Sequence, residues 1–232
     1  MKVISFCLYG NLEKYCKGLY KNLLIIQDKL SDYKSFLYIS SDVSEEWIKC
    51  YEKFSFVKIF RTKSTGHDNM IERFFAIDEE NVDIAIIRDV DSRLNERDIW
   101  CIRDFEKSTY LFHTIRDHPD HKTLILGGLW GIKKECLPPN IKIKSLYNKL
   151  NPKNTIINKI QHDQHFLKYL VFPIVYNNMI VYTFSDKMKM YGNEEIKIIP
   201  FSVTNNDFCG LSIYFNENGE EIKEYIWNYY NY

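Results

Sequence analysis

Two aspartates one residue apart, Asp89 and Asp91, follow an apolar run in the stretch IAIIRDVDSRL, residues 84–94. Ile84 to Ile87 reads as a buried strand. Carboxylates at the exit of a central strand put negative charge where an open α/β sheet binds its ligand. Left alone, they repel each other. A hard divalent cation with oxygen ligands removes that repulsion and can bridge to a diphosphate. The spacing therefore points to a metal–diphosphate site. Arg88 and Arg93 flank the pair; either could donate to phosphate or lock the carboxylates through bidentate bonds.

The elements that must deliver this pair alternate along the chain. Val3–Tyr9 is apolar and β-prone, Gly10-Asn11 breaks it, and Leu12 to Leu30 carries apolar residues at helical spacing. Phe36–Ile39 and Phe56–Phe60 read as strands, with Ser44 capping a helix through Lys53 between them. Lys63–Asn69 is polar and contains Gly66, so a flexible loop able to close over a ligand is expected. Met70–Ile77 reads as helix, Asn95 as the cap of a helix through Lys107, and Tyr110–His113 as a strand. This βαβαβ order predicts an α/β fold: one Rossmann-like, mostly parallel sheet flanked by helices.

The second half is less regular and predicts a smaller mixed part. Arg116 to His121 is crowded with ionisable groups, and Gly127-Gly128 interrupts the apolar Leu124–Trp130, a mark of close backbone approach. Asn158–Val171 reads as a helix carrying His162, Asp163, Gln164 and His165. Ile174–Phe184 has β character, and Glu220–Tyr232 is an aromatic-rich closing element.

Composition narrows the class. The 232 residues are 45% hydrophobic and 16% aromatic, which excludes a disordered chain. Lys+Arg and Asp+Glu both number 31, so no general attraction to nucleic acid is expected and phosphate recognition must be local. No apolar run approaches the ~20 residues of a membrane span, and the N-terminus does not read as a signal peptide. Six dispersed cysteines without a CxxC pair suggest free thiols in a reducing, cytoplasmic setting.

ISFCLYG (4–10), RFFAID (73–78), IIRDVDSRL (86–94), FHTIRDHPDH (112–121), LGGLWG (126–131) and DQHFL (163–167), with IPFSVTNNDFCG (199–210), occur in an order that resembles a known family. The pattern RDxDSR, RDHPxH, GGxWG, DQxFL is similar to that of the small DxD-containing nucleotide-sugar glycosyltransferases of GT-A fold from chlorella viruses and other large DNA viruses. The resemblance implies a single domain over 1–232, with a nucleotide-binding half (1–94) and a sugar- and acceptor-binding half (95–232). It implies transfer of a sugar from a UDP-sugar to a hydroxyl of a glycan, with Mn²⁺ or Mg²⁺ as cofactor, in the host cytoplasm if the chain is viral.

On that resemblance Asp91 binds the metal, and Asp89 holds the ribose or reaches the metal through water. Phe6, Leu8, Tyr9 and Gly10 form the nucleotide slot, with Tyr9 stacking and Gly10 permitting close approach, and Arg73 points at the nucleotide. Arg88, Asp117, His118, Gly127, Gly128 and Gln164 line the sugar or acceptor pocket. Asp163 faces the donor sugar as stabiliser of an oxocarbenium-like transition state or as transient nucleophile, which implies retention of configuration. The family's further histidine ligand is missing from Val181–Lys187; Asp186, Ser185 or water is expected in its place. Three rival readings are a haloacid-dehalogenase-type DxD phosphatase, a zinc hydrolase built on His113, His118, His121, His162 and His165, and a catalytically weak nucleotide-sugar-binding protein. The first wants its DxD near the start of the domain and a second acidic motif; the second lacks a known ligand spacing.

Overall fold

A computed structural model describes residues 1–149, 162–202, 204 and 207–223. In chain order the elements are β1 (Lys2–Leu8), α1 (Glu13–Lys29), β2 (Lys34–Ser40), α2 (Glu45–Tyr51), β3 (Val57–Thr62), a 3₁₀ segment (Gly66–Asp78), β4 (Ile84–Arg88) and α3 (Glu96–Lys107). There follow β5 (Phe112–Arg116), β6 (Leu129–Lys133), α4 (Ile143–Lys149), α5 (His162–Phe166), a π turn (Leu167–Val171), α6 (Phe172–Val175), β7 (Met179–Thr183), β8 (Glu195–Ile198), β9 (Tyr214–Phe215) and β10 (Glu221–Ile222).

The main sheet has the order β3-β2-β1-β4-β6-β5-β7-β8. Every pairing is parallel except those of β6, which runs antiparallel to β4 and β5. The ends of β1, β4, β5 and β7 therefore share one edge with the start of β6. The parallel sheet and its helices match the reading of the first half. β9 and β10 form a separate antiparallel pair.

Strand residues alternate between two cores. Ile4, Phe6, Leu8 and Ile86 face α1 and α3, packing with Leu19, Leu23, Ile102 and Phe105. Val3, Cys7, Ala85 and Ile87 face the other way, toward Phe74, Trp130 and Phe166. A strand buried on both faces reads as an unbroken apolar run, which explains Ile84–Ile87. Asn95 caps α3 as the sequence suggests, its Oδ1 accepting from the Asp98 N–H at 2.9 Å.

Two local expectations are corrected. Gly66–Asn69 is not loop but the start of the 3₁₀ segment. Asn69 Nδ2 donates to Thr62 Oγ1 at 3.0 Å and to Glu72 Oε2 at 2.7 Å, which gives these polar residues local partners. The helix expected from Asn158 is described from His162, and it passes through a π turn; residues 158–161, and 224–232 of the closing element, lie outside the described residues.

His113 of β5 is fully buried, its ring 4.5 Å from that of Phe105. Burial, with Arg88 and Lys133 nearby, holds its pKa well below the ordinary value, so it is neutral in the native state. The unfolded chain takes up that proton below about pH 6.5 and the native chain does not, so stability falls on acidification. Urea unfolding from pH 7 to pH 5 should show a loss approaching about 1.4 kcal/mol per pH unit for such a group, and His113→Gln should remove that share, leaving the part due to His118 and His121, whose pKa values burial also lowers.

Candidate functional site

The acidic pair leaves β4 in a turn clamped from two sides. On the α1 side, Asn22 Nδ2 donates to Ser92 O at 2.8 Å and its Oδ1 accepts from the Leu94 N–H at 3.1 Å. Gly18 of α1 lies so close that a Cβ there would sit 2.2 Å from Val90 O. From the C-terminal side, Ser212 bridges to Ser92, Ile213 N–H donates to Asp91 O at 2.8 Å, and Ser212 Oγ donates to Asp91 Oδ2 at 2.7 Å. Arg93 braces the turn, donating through Nη1 to Val90 O and Ser92 O and pairing through Nε with Glu221 at 2.9 Å.

Both carboxylates line a cavity of about 240 Å³ at the carboxyl edge of β1 and β4. Cys7, Leu8 and Tyr9 come from β1 and its exit, Tyr15 from α1, and Met70 and Arg73 from the 3₁₀ segment. Arg73, 2% exposed, is the hub. Nη1 lies 2.9 Å from Asp89 Oδ1 and donates to Cys7 Sγ at 3.1 Å; Nη2 lies 3.5 Å from Asp163 Oδ2. Ser5 Oγ donates to the Arg73 carbonyl at 2.7 Å, fixing its backbone to β1. Asp163, 3% exposed, lies in the first turn of α5 and accepts the Gln164 N–H on Oδ1 at 2.8 Å.

Gly127 and Gly128 complete the wall ahead of β6. A Cβ on Gly128 would lie 1.9 Å from Asp89 Oδ2, and one on Gly127 would lie 2.6 Å from Asp163 Oδ2. The glycine pair is thus the space the two acids occupy. Burial raises the Asp89 pKa; Arg73 opposes the rise, and Asp91 and Asp163 add to it. Burial likewise pushes the Cys7 thiol up to about 11, so beside Arg73 it is a neutral donor or acceptor.

No family model matches the sequence, and no curated protein matches it. Solved structures do. TarS residues 1–349 from S. aureus align over 77% of this chain and 57% of that one, at 15% identity and TM-score 0.51. The glycosyltransferase GlyE of Streptococcus pneumoniae TIGR4 aligns over 78% and 44%, at 14% identity and TM-score 0.51. The galactosyltransferase LgtC, in complex with donor and acceptor sugar analogues, aligns over 78% and 73%, at 9% identity and TM-score 0.51. This chain adopts the GT-A fold. It spans about half the length of the first two structures.

Within the GT-A framework the residues anticipated from sequence fall into two groups. Leu8, Tyr9, Arg73, Asp89 and Asp91 line one cavity, with Asp163, Gln164, Gly127 and Gly128 against its inner wall. Gly10, with φ +66°, turns the chain beside it, and its N–H donates to Asp42 Oδ1 at 3.0 Å.

Others lie elsewhere. Phe6 is fully buried on the α1 side, because strand alternation gives the cavity face to Cys7. Arg88, expected at the sugar, is 1% exposed: Nε and Nη2 grip Asp98, and Nη1 donates to Ile87 O and Trp130 O, so it ties β4 and β6 to α3. Asp117 is fully buried against Arg97 and accepts the Cys209 N–H at 2.9 Å. His118, 2% exposed, stacks on Phe208 with 4.2 Å between ring centroids. Asp117 and His118 are packing groups here, not an open pocket wall. Asp186 is exposed beyond β7, where Ser185 Oγ donates to it at 3.4 Å. β7 stands three strand positions from β4, on the order of 14 Å away.

Among the described residues no cluster of three His, Cys, Asp or Glu side chains is placed to hold a metal, so neither a zinc site nor a third ligand joins the acidic pair. Two carboxylates open to a small cavity nevertheless suit a hard cation that keeps water and phosphate oxygens as its other ligands. Lys14, Tyr15 and Met70 were not anticipated. Lys14 follows the break at Gly10-Asn11 by one helical turn, but nothing in its neighbours marks it; its Nζ lies 3.1 Å from Asp91 Oδ2.

Gly128 has φ outside the left-handed region, so space alone excludes a side chain there. Gly128→Ala should displace the Asp89 carboxylate from Arg73 and cost roughly 1–3 kcal/mol in urea unfolding.

Proposed function

We propose that this protein is a glycosyltransferase that moves a sugar from a UDP-sugar to a hydroxyl of a glycan acceptor, with Mn²⁺ or Mg²⁺ and with retention of configuration. One observation carries the proposal. Three carboxylates from two distant parts of the chain, Asp89 and Asp91 after β4 and Asp163 in α5, gather at a cavity on the carboxyl edge of the parallel strands, where Arg73 pairs with Asp89 and Asp163. Open α/β sheets bind nucleotides at that edge. The sequence motifs supply the finer terms: the UDP donor, the metal, retention and the likeness to viral enzymes acting in the host cytoplasm.

In this reading residues 1–94 hold the nucleotide and 95–232 the sugar and acceptor. Tyr9, half-buried at the cavity mouth, stacks on the base, while Leu8 packs beneath it. Asp91 would hold the metal, and Asp89 would take the ribose or reach the metal through water. A metal held there would supply positive charge that eases loss of the diphosphate. Arg73 holds Asp89 and Asp163 at fixed separation, so neither carboxylate must reorganise during the reaction. Asp163 presents negative charge to the anomeric carbon as positive charge develops there. Gly127 and Gly128 let the sugar lie against backbone, and Gln164 orients Asp163 through its N–H.

Thermal shift and hydrolysis across a set of nucleotide sugars, with and without Mn²⁺, test this directly. UDP plus Mn²⁺ at a hundredfold excess over Kd should stabilise the protein by about 2.7 kcal/mol. Asp91→Asn should abolish the metal-dependent part. If no nucleotide sugar shifts the melt with either metal, the proposal fails. Asp163→Asn should lower kcat by roughly 10²–10³-fold while UDP binding persists.

A further inference from the structure

Asp91 Oδ2 already has two partners: Ser212 Oγ at 2.7 Å and Lys14 Nζ at 3.1 Å. Lys14 projects from the first turn of α1, with its side chain 20% exposed. Its ammonium sits over the Tyr214 ring at 3.9 Å from the centroid, and 5.3 Å from that of Tyr15, which lines the cavity. The second acid of the pair is therefore neutralised by a cation of the protein itself.

An ammonium 3.1 Å from the oxygen that would bind a divalent cation repels that cation. Lysine has a flexible four-carbon stem and behaves as a movable point charge. When Asp91 turns to another cation, a diphosphate held by that cation would be an anion within reach of Lys14. The two tyrosine faces give the ammonium a resting place that a bulky anion would not contest.

We propose that Lys14 is a diphosphate-binding residue held in reserve on Asp91. In the free protein it blocks the carboxylate; when the donor binds, it releases Asp91 and takes the diphosphate. The inference rests on the nucleotide-sugar reading above and names a residue that reading does not use.

The test compares wild type, Lys14→Met and Lys14→Arg, with folding checked by thermal melts. Mn²⁺ alone is titrated by electron paramagnetic resonance, and UDP with Mn²⁺ and uridine by calorimetry or NMR. Lys14→Met should bind Mn²⁺ alone roughly fivefold more tightly, because the competing ion pair is gone. It should bind UDP with Mn²⁺ roughly tenfold more weakly, because a charged hydrogen bond to phosphate is lost. Uridine binding should not change, and Lys14→Arg should restore UDP binding. Unchanged Mn²⁺ or UDP affinity in Lys14→Met overturns the inference, as does an equal loss for UDP and uridine, which would mark a packing role. If wild type binds neither Mn²⁺ nor UDP, the nucleotide-sugar reading itself fails.

Discussion

The Arg73 guanidinium lies between Asp89 and Asp163, at 2.9 and 3.5 Å, with 3% of its side chain exposed. Without it, Asp89 and the buried Asp163 would have no guanidinium between them. Burial costs an ion its hydration, and only close, hydrogen-bonded partners offset that cost. Removing one partner of a buried pair typically costs about 3–5 kcal/mol; that applies to Arg73 with Asp163, whereas Asp89, with 40% of its side chain exposed, is partly screened by water. The charge balance between Asp89 and Asp163 thus depends on one side chain. That side chain in turn rests on β1, through Ser5 and Cys7.

Other arginines serve the frame. Arg88 with Asp98, Arg97 with Asp117 and Arg116 with Glu194 are all buried pairs. Each joins a strand end or its loop to a helix or a later loop. Arg116, for instance, also donates to Thr123 O and Leu124 O. These pins hold the irregular stretch after β5, where no regular ladder is available to satisfy backbone carbonyls. They explain why the RDHP segment is buried although it looks polar in sequence.

How far the sequence was legible follows from the range of each interaction. Ile84–Ile87 and the Asn95 cap announce themselves through local pattern, and so does the parallel order of the first half. The role of Gly127-Gly128 as close-approach residues was visible as a break in an apolar run. Arg88 was misplaced, although strand alternation offered a signal: Ile86 and Arg88 share the face toward α3, while Ile87 faces the other core. Asp117 gave no such signal, because its partner Arg97 lies twenty residues away on α3. The Arg73–Asp163 contact spans 90 residues and the Lys14–Asp91 contact joins α1 to β4's exit, so no local pattern encodes either. The 3₁₀ form of Gly66–Asp78 was hidden by residues that suit a turn as well as a helix.

The seal on Asp91 has a bearing on biosynthesis. Asp91 and Ser212 are 121 residues apart, and Ile213 secures the same turn. A ribosome adding ~5–20 residues per second delivers that seal several seconds after the acidic turn has emerged. Throughout that interval the acidic turn lacks its last brace. The brace on Asp91 therefore forms only after residues 212 and 213 have been made.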